Sequence, residues 1–330
     1  MDLDGSISVS PASAFPCVIT CLDRGRHPSA AAFARAHLPA LLALLTARGA
    51  LLFRGFALPD APAFSSFVGA FGFTDLPYED SLSLAVRTPV APRVCTTNDG
   101  RSGGLVFHHE QAAAPRFPSK LFFFCEAPAP PGTGGGTGLS PSWLLLEKLA
   151  AAHPGFIADC EARGVRYRLT LPAEQDARTG VGRSWRSFFA VASAAECEAR
   201  MAALGYSHSW GTGGVLHLVS PVLAPVRAVS GPRGPATRVF FNQIVAQIIG
   251  NAKEFEAQAA SGGAPFIEFG DGGALPLEPV RFAFEAAEAA SADVAWQQGD
   301  VALLDNYLVM HARRPWAGEG PRRVLASLCV

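Results

Sequence analysis

Trp296-Gln297-Gln298-Gly299-Asp300-Val301-Ala302-Leu303-Leu304-Asp305-Asn306 reads as a Gly-Asp turn entering a strand, and the apolar run Leu303 to Met310 ends at His311. A last strand, Arg323 to Cys329, follows it. Upstream, Ala50 to Phe56, Val94 to Thr97, Lys120 to Cys125, Arg166 to Leu171 and Arg238 to Phe241 are short runs rich in β-branched and aromatic residues. Between them, capping and breaker signals predict helices over Ser29–Arg48, Ala61–Phe71, Pro141–Ala152, Asn242–Ala257 and Pro279–Ala290. Pro128 to Gly138 is a Pro/Gly-rich crossing loop. With 33 glycines and 26 prolines, many turns and strands are favoured over a helical bundle. The economical architecture is a single domain spanning 1–330, mainly β with flanking helices. Its N-terminal segment, about 1–49, reads as helical and the β core begins near residue 50.

Composition narrows the function classes. Of 330 residues, 49% are hydrophobic and 17% charged, which excludes a disordered polyampholyte. The formal net charge is −1, so there is no field of the kind that gathers nucleic acid or an anionic membrane. Seven cysteines show neither zinc-finger spacing nor a disulfide framework, which points to a reducing compartment. The beginning of the chain has no basic and apolar signal pattern, and the longest apolar stretch, Leu38 to Phe53, is broken by Arg48 and Gly49. A soluble cytoplasmic protein is expected.

Among eight histidines, those in Phe107-His108-His109-Glu110 stand apart. In an extended strand, residues i and i+2 share a face, so His108 and Glu110 would point one way and His109 the other. His109 in place of His108 is the alternative ligand. His311 is the natural third donor. Two imidazoles and one carboxylate suit the open-sided sites of non-haem iron(II) oxygenases. The same set can hold catalytic zinc, so a zinc hydrolase or a silent binding protein are the competing readings. Twelve residues after His311, Arg323 could grip a carboxylate from the next strand, with its neighbour Arg322 pointing outward. Gly134-Gly135-Gly136-Thr137 lacks the Lys-Ser/Thr of a phosphate loop.

These stretches, in this order, resemble the taurine dioxygenase/clavaminate synthase-like iron(II)/2-oxoglutarate dioxygenases. The match is carried by Leu52-Phe53-Arg54-Gly55-Phe56, His108-His109-Glu110, Phe117 to Phe123, Gly135-Gly136-Thr137, Phe269-Gly270-Asp271-Gly272, Trp296 to Pro315, and Arg322 to Leu328. The resemblance implies a double-stranded β-helix, or jelly roll. It implies iron(II) on His108, Glu110 and His311, with Thr137 and Arg323 holding the distal carboxylate of 2-oxoglutarate. It implies dioxygen and a small molecule as substrates, hydroxylation (or desaturation or ring closure) as the reaction, and succinate and CO2 as co-products. Two residues depart from the commoner pattern: Glu110 replaces aspartate, and Ser327 stands where several relatives with anionic substrates carry a second arginine. Phe240, Asn242, Arg183 and Arg186 are candidate substrate contacts, although Asn242 also reads as a strand-end cap and Arg186 as part of a solvated basic turn.

Overall fold

The computed structural model describes residues 5–97, 103–176, 182–253, 255, 265–318, 320 and 322–330. Eighteen described strands form three sheets and a hairpin. The largest sheet has eight strands in the order β1 (Ile7–Val9), β2 (Cys17–Cys21), β3 (Ala50–Arg54), β16 (Val301–Asp305), β7 (Lys120–Ala127), β18 (Arg323–Cys329), β5 (Val94–Thr96) and β4 (Pro89–Ala91). A four-stranded sheet, β15 (Ala292–Val294), β8 (Thr137–Pro141), β17 (Val309–Arg313) and β6 (Leu105–His108), packs against it. A second four-stranded sheet contains β10 (Ser207–Trp210), β11 (Leu216–Val219), β9 (Val165–Leu171) and β14 (Ile267–Phe269), and β12 (Val226–Gly231) pairs with β13 (Gly234–Phe240) as a hairpin.

Side-chain alternation explains the layering. On the large sheet, Leu51, Phe53, Phe122, Phe124, Val301, Leu303 and Leu325 point outward into a cluster completed by Phe33, Phe64 and Phe67 from the N-terminal helices and by Phe71 from the turn that follows them. Their neighbours Leu52, Leu121, Phe123, Ala302, Leu304, Val324 and Ala326 point inward and meet Leu139, Val294 and Val309 of the smaller sheet. Behind that sheet, Phe107, Met310 and Ala312 pack on the helices Ser142–Ala152 and Leu277–Ala289. The chain thus stacks helices, large sheet, small sheet and helices, with apolar residues on both faces of each central sheet.

Three local expectations change. The N-terminal segment is not purely helical, because β1 and β2 join the large sheet and β2 runs parallel to β3. The expected helix 29–48 is two helices, Ala30–Ala36 and Leu38–Arg48, which meet at 84°. Pro39 stands in the first turn of the second; its nitrogen has no proton to continue the first helix, and its ring suits a helix start. The helix expected over 242–257 is confined to Ile244–Ile249 before the next break, and the end of that span falls partly outside the described residues. No single described helix is long and apolar enough to cross a membrane.

Candidate active site

β17 and β6 are hydrogen-bonded neighbours in the small sheet, and His311 stands directly opposite His108 in their register. Both side chains point toward the large sheet, since Met310, Ala312 and Phe107 take the other face. Their rings lie 4.3 Å apart, centroid to centroid, and the Phe123 ring of the large sheet is 5.2 Å from His311. The strand β6 ends at His108, so Glu110 comes from the following turn and not from strand spacing. Its Oε2 nevertheless lies 3.9 Å from His108 Nε2 and 3.7 Å from His311 Nε2. One donor atom from each residue falls within 4.8 Å of the others.

The donor chemistry suits iron(II). His108 Nδ1 is hydrogen-bonded to the carbonyl of Val106 at 2.8 Å, which leaves Nε2 as the free ligand atom. Burial, followed by the fields of His108, His109 and Arg87, holds the His311 imidazole well below the usual histidine range. It is therefore neutral, as a metal ligand must be.

His109 faces away from the cluster, into the core. Its Nδ1 meets the Asn306 carbonyl, and its Nε2 lies 3.1 Å from both Ser142 Oγ and the Phe240 carbonyl. Complete burial pushes this histidine down to about 3, so it is a neutral tether. Asn306, wholly buried, accepts from the Glu110 N–H at 2.9 Å and donates to the carbonyls of Glu110 at 3.1 Å and Pro118 at 2.7 Å. Gln243 donates to the His109 carbonyl at 3.0 Å. The turn bearing the carboxylate is thus tied down on both sides.

The three donor residues line a cavity of about 320 Å³, the size of a small-molecule site. Thr137, at the start of β8, lines it too, and its hydroxyl accepts from Trp296 Nε1 at 3.0 Å. Arg323 does not. Its side chain is exposed on the outer face and pairs with Glu126. Arg322, which immediately precedes β18, does line the cavity; it is buried, with Nε donating to the Gly135 carbonyl at 2.8 Å. The correction is one of parity. Val324 and Ala326 face inward, so Arg322 does as well, and the intervening Arg323 faces out.

The substrate candidates also move. Asn242 is buried off the cavity, with Oδ1 accepting from the Ile244 N–H at 2.9 Å, a local turn contact between β13 and the helix Ile244–Ile249. Phe240 is fully buried in the core behind the small sheet. Arg186 stacks on Trp185, 4.2 Å from the ring, outside the cavity lining. Arg183 is completely buried and donates to the carbonyls of Tyr78, Glu79, Ser81, Ser83 and Ser187. Its task is to clamp the segment whose next residues, Leu82 to Ala85, form one cavity wall. Arg87, which the sequence did not single out, lines the cavity and donates from Nη2 to Glu110 Oε1 at 3.0 Å.

Residues 26–329 match the family described as taurine catabolism dioxygenase TauD, TfdA family. The chain belongs to that family. Within it, a clavaminate synthase-like protein of Arabidopsis thaliana is 38% identical over 288 residues, covering 87% of this chain and 83% of the relative. The dapdiamide synthesis protein DdaC of Enterobacter agglomerans is 27% identical over 290 residues, with 85% and 82% covered. Among solved structures, PvcB of Pseudomonas aeruginosa superposes with a TM-score of 0.56 at 14% identity, covering 100% of this chain and 92% of its own. A taurine dioxygenase from Burkholderia xenovorans gives 0.52 at 17%, with 98% and 89% covered. The fold is the jelly roll of this family, and the chain is a 2-oxoglutarate-dependent dioxygenase that uses iron(II).

Proposed function

We propose that this dioxygenase oxidises a C–H bond of a small metabolite, with hydroxylation, desaturation or ring closure as the outcome. The reading is carried by one observation: His108, Glu110 and His311 converge in a cavity that Thr137 and Arg322 also line. The three ligands would hold iron(II) on one face and leave its other positions open. With iron(II), 2-oxoglutarate reduces dioxygen as it loses CO2; one oxygen atom enters succinate and the other oxidises the substrate. Arg322 would grip the remote carboxylate with its planar fork, and the Thr137 hydroxyl, already accepting from Trp296, has its proton free to add a donor. As a ligand, Glu110 would take the place that an incoming halide needs and its charge would repel one, which favours oxygen over halogen in the product. A zinc hydrolase with the same ligands would leave Arg322 and Thr137 without a task.

The remaining cavity wall is largely apolar near Leu82, Leu84, Ala113 and Leu169, and polar at Gln243, Gln247 and Asn251. Such a wall suits an amphipathic metabolite and shields the reacting carbon from water. All seven cysteines are free and buried, in keeping with a reducing cytoplasm. Anaerobic titration of the protein with iron(II) and 2-oxoglutarate should produce the visible charge-transfer band of a chelated 2-oxo acid. Oxygen should then release succinate, and the correct metabolite should accelerate that release. A protein that binds iron(II) but gives neither band nor succinate refutes the proposal.

A further inference from the structure

The two oxygens of Glu110 are already distinguished. Oε2 is the one that shares space with the Nε2 atoms of His108 and His311. Oε1 accepts from Arg87 Nη2 at 3.0 Å, and both side chains are about nine-tenths buried. The Cys95 side chain also lies beside this guanidinium, and Glu110 supplies the carboxylate that it pairs with. The backbone beside it is also pinned: Thr88 N–H donates to Thr96 Oγ1 at 3.0 Å, and Thr96 N–H donates to the Thr88 carbonyl at 2.9 Å.

A glutamate carries its carboxylate on one more rotatable bond than an aspartate. Untethered, that longer arm can turn both oxygens toward a cation, since carboxylates bind in one-oxygen or two-oxygen modes. Two-oxygen binding would consume a position that a chelating cosubstrate needs. We propose that Arg87 is a positioning residue that holds Glu110 as a one-oxygen ligand, thereby keeping the place for the 2-oxo acid open. Arg87 supplies the restraint that a shorter side chain would provide by itself. This inference rests on the assignment of His108, Glu110 and His311 as ligands.

Three measurements test it: cobalt(II) affinity of the apoprotein, 2-oxoglutarate affinity of the iron(II)-loaded protein from its charge-transfer band, and thermal unfolding as a control. Replacing Arg87 by methionine should weaken 2-oxoglutarate binding roughly ten- to a hundredfold while cobalt affinity changes less than about threefold. Arg87→Lys, a point charge without the fork, should give an intermediate loss. In a Glu110→Asp background the same Arg87→Met change should cost much less, because aspartate has less freedom to constrain. A direct attraction between Arg87 and the cosubstrate would instead give equal losses in both backgrounds, and would overturn the inference. Parallel falls in cobalt and 2-oxoglutarate affinity would also overturn it, as would unchanged 2-oxoglutarate binding. If Arg87→Met does not fold, the Arg87→Lys split between the two affinities decides by the same criteria. Failure of the unmutated protein to show the band would remove the ligand assignment itself, and the inference with it.

Discussion

On the outer face of the large sheet, Phe53, Phe122 and Phe124 meet Phe64, Phe67 and Phe71 in a closed aromatic cluster, with Phe124 stacked on Phe64 at 5.0 Å. On the inner face the apolar side chains give way after Phe123 and Val324 to His311, Arg322 and the cavity. Strands of the large sheet contribute to both, while His108 and His311 come from β6 and β17 of the facing small sheet. β18 carries Leu325 outward into the closed cluster and Val324 inward, and Arg322, just ahead of β18, lines the cavity. The difference teaches where stability and chemistry reside: one face is filled by packed aromatic rings with the Lys120–Asp305 pair at its margin, the other opens on a cavity where Glu110 is paired with Arg87.

That division can be broken by substitution. His311→Ala, on the inner side, should abolish iron-dependent succinate release while leaving cooperative unfolding intact, because loss of one ligand of three opens another position. Activity at high iron would show that the inner face does not hold the metal as assigned. Phe124→Ala, on the outer face, should cost about 3–5 kcal/mol of stability, yet the fraction that stays folded should keep its 2-oxoglutarate affinity. Denaturant titration beside a binding isotherm reads both. Arg322→Ala should raise the 2-oxoglutarate requirement about ten- to a hundredfold, as a charge-assisted contact is worth roughly 1.5–3 kcal/mol. Thr137→Val removes one neutral donor and should cost about 1 kcal/mol, a several-fold rise in the same requirement. Arg323→Ala should leave the requirement unchanged and alter stability by no more than about 1 kcal/mol, because its pair with Glu126 is exposed. If Arg323→Ala and not Arg322→Ala raised the requirement, the two faces of β18 would have to be exchanged.

Much of this was legible from local pattern. The apolar runs that became β3, β7, β16 and β18 have the length and residue types of buried strands, and breakers bound them. Residue chemistry drew attention to His108-His109-Glu110 and His311 but left His108 and His109 as alternatives, and the ligand set His108, Glu110 and His311 came from the family resemblance. Other features were illegible for definite reasons. Ser29–Arg48 reads as one helix because its alanine and leucine content is continuous, whereas Pro39 and the packing on the large sheet require two. Arg183 reads from the sequence as a candidate substrate contact, and only its five carbonyl partners show a buried clamp.

What the amino-acid sequence determined by itself was the set of strands, the order of the motifs and the donor types, since each depends on residues close together in the chain. Tertiary structure alone decided which neighbour serves. β18 is buried on both faces, so Arg323-Val324-Leu325-Ala326-Ser327-Leu328 shows no polar–apolar alternation from which to read direction. Its pairing with β7 turns Arg322 inward and Arg323 toward Glu126. Likewise Asn306 reaches Glu110 across 196 residues and Arg87 reaches it across 23, contacts that exist only once the sheets are assembled. A period-two pattern reports facing only where one face is wet; where both are dry, facing is set by the partner strands.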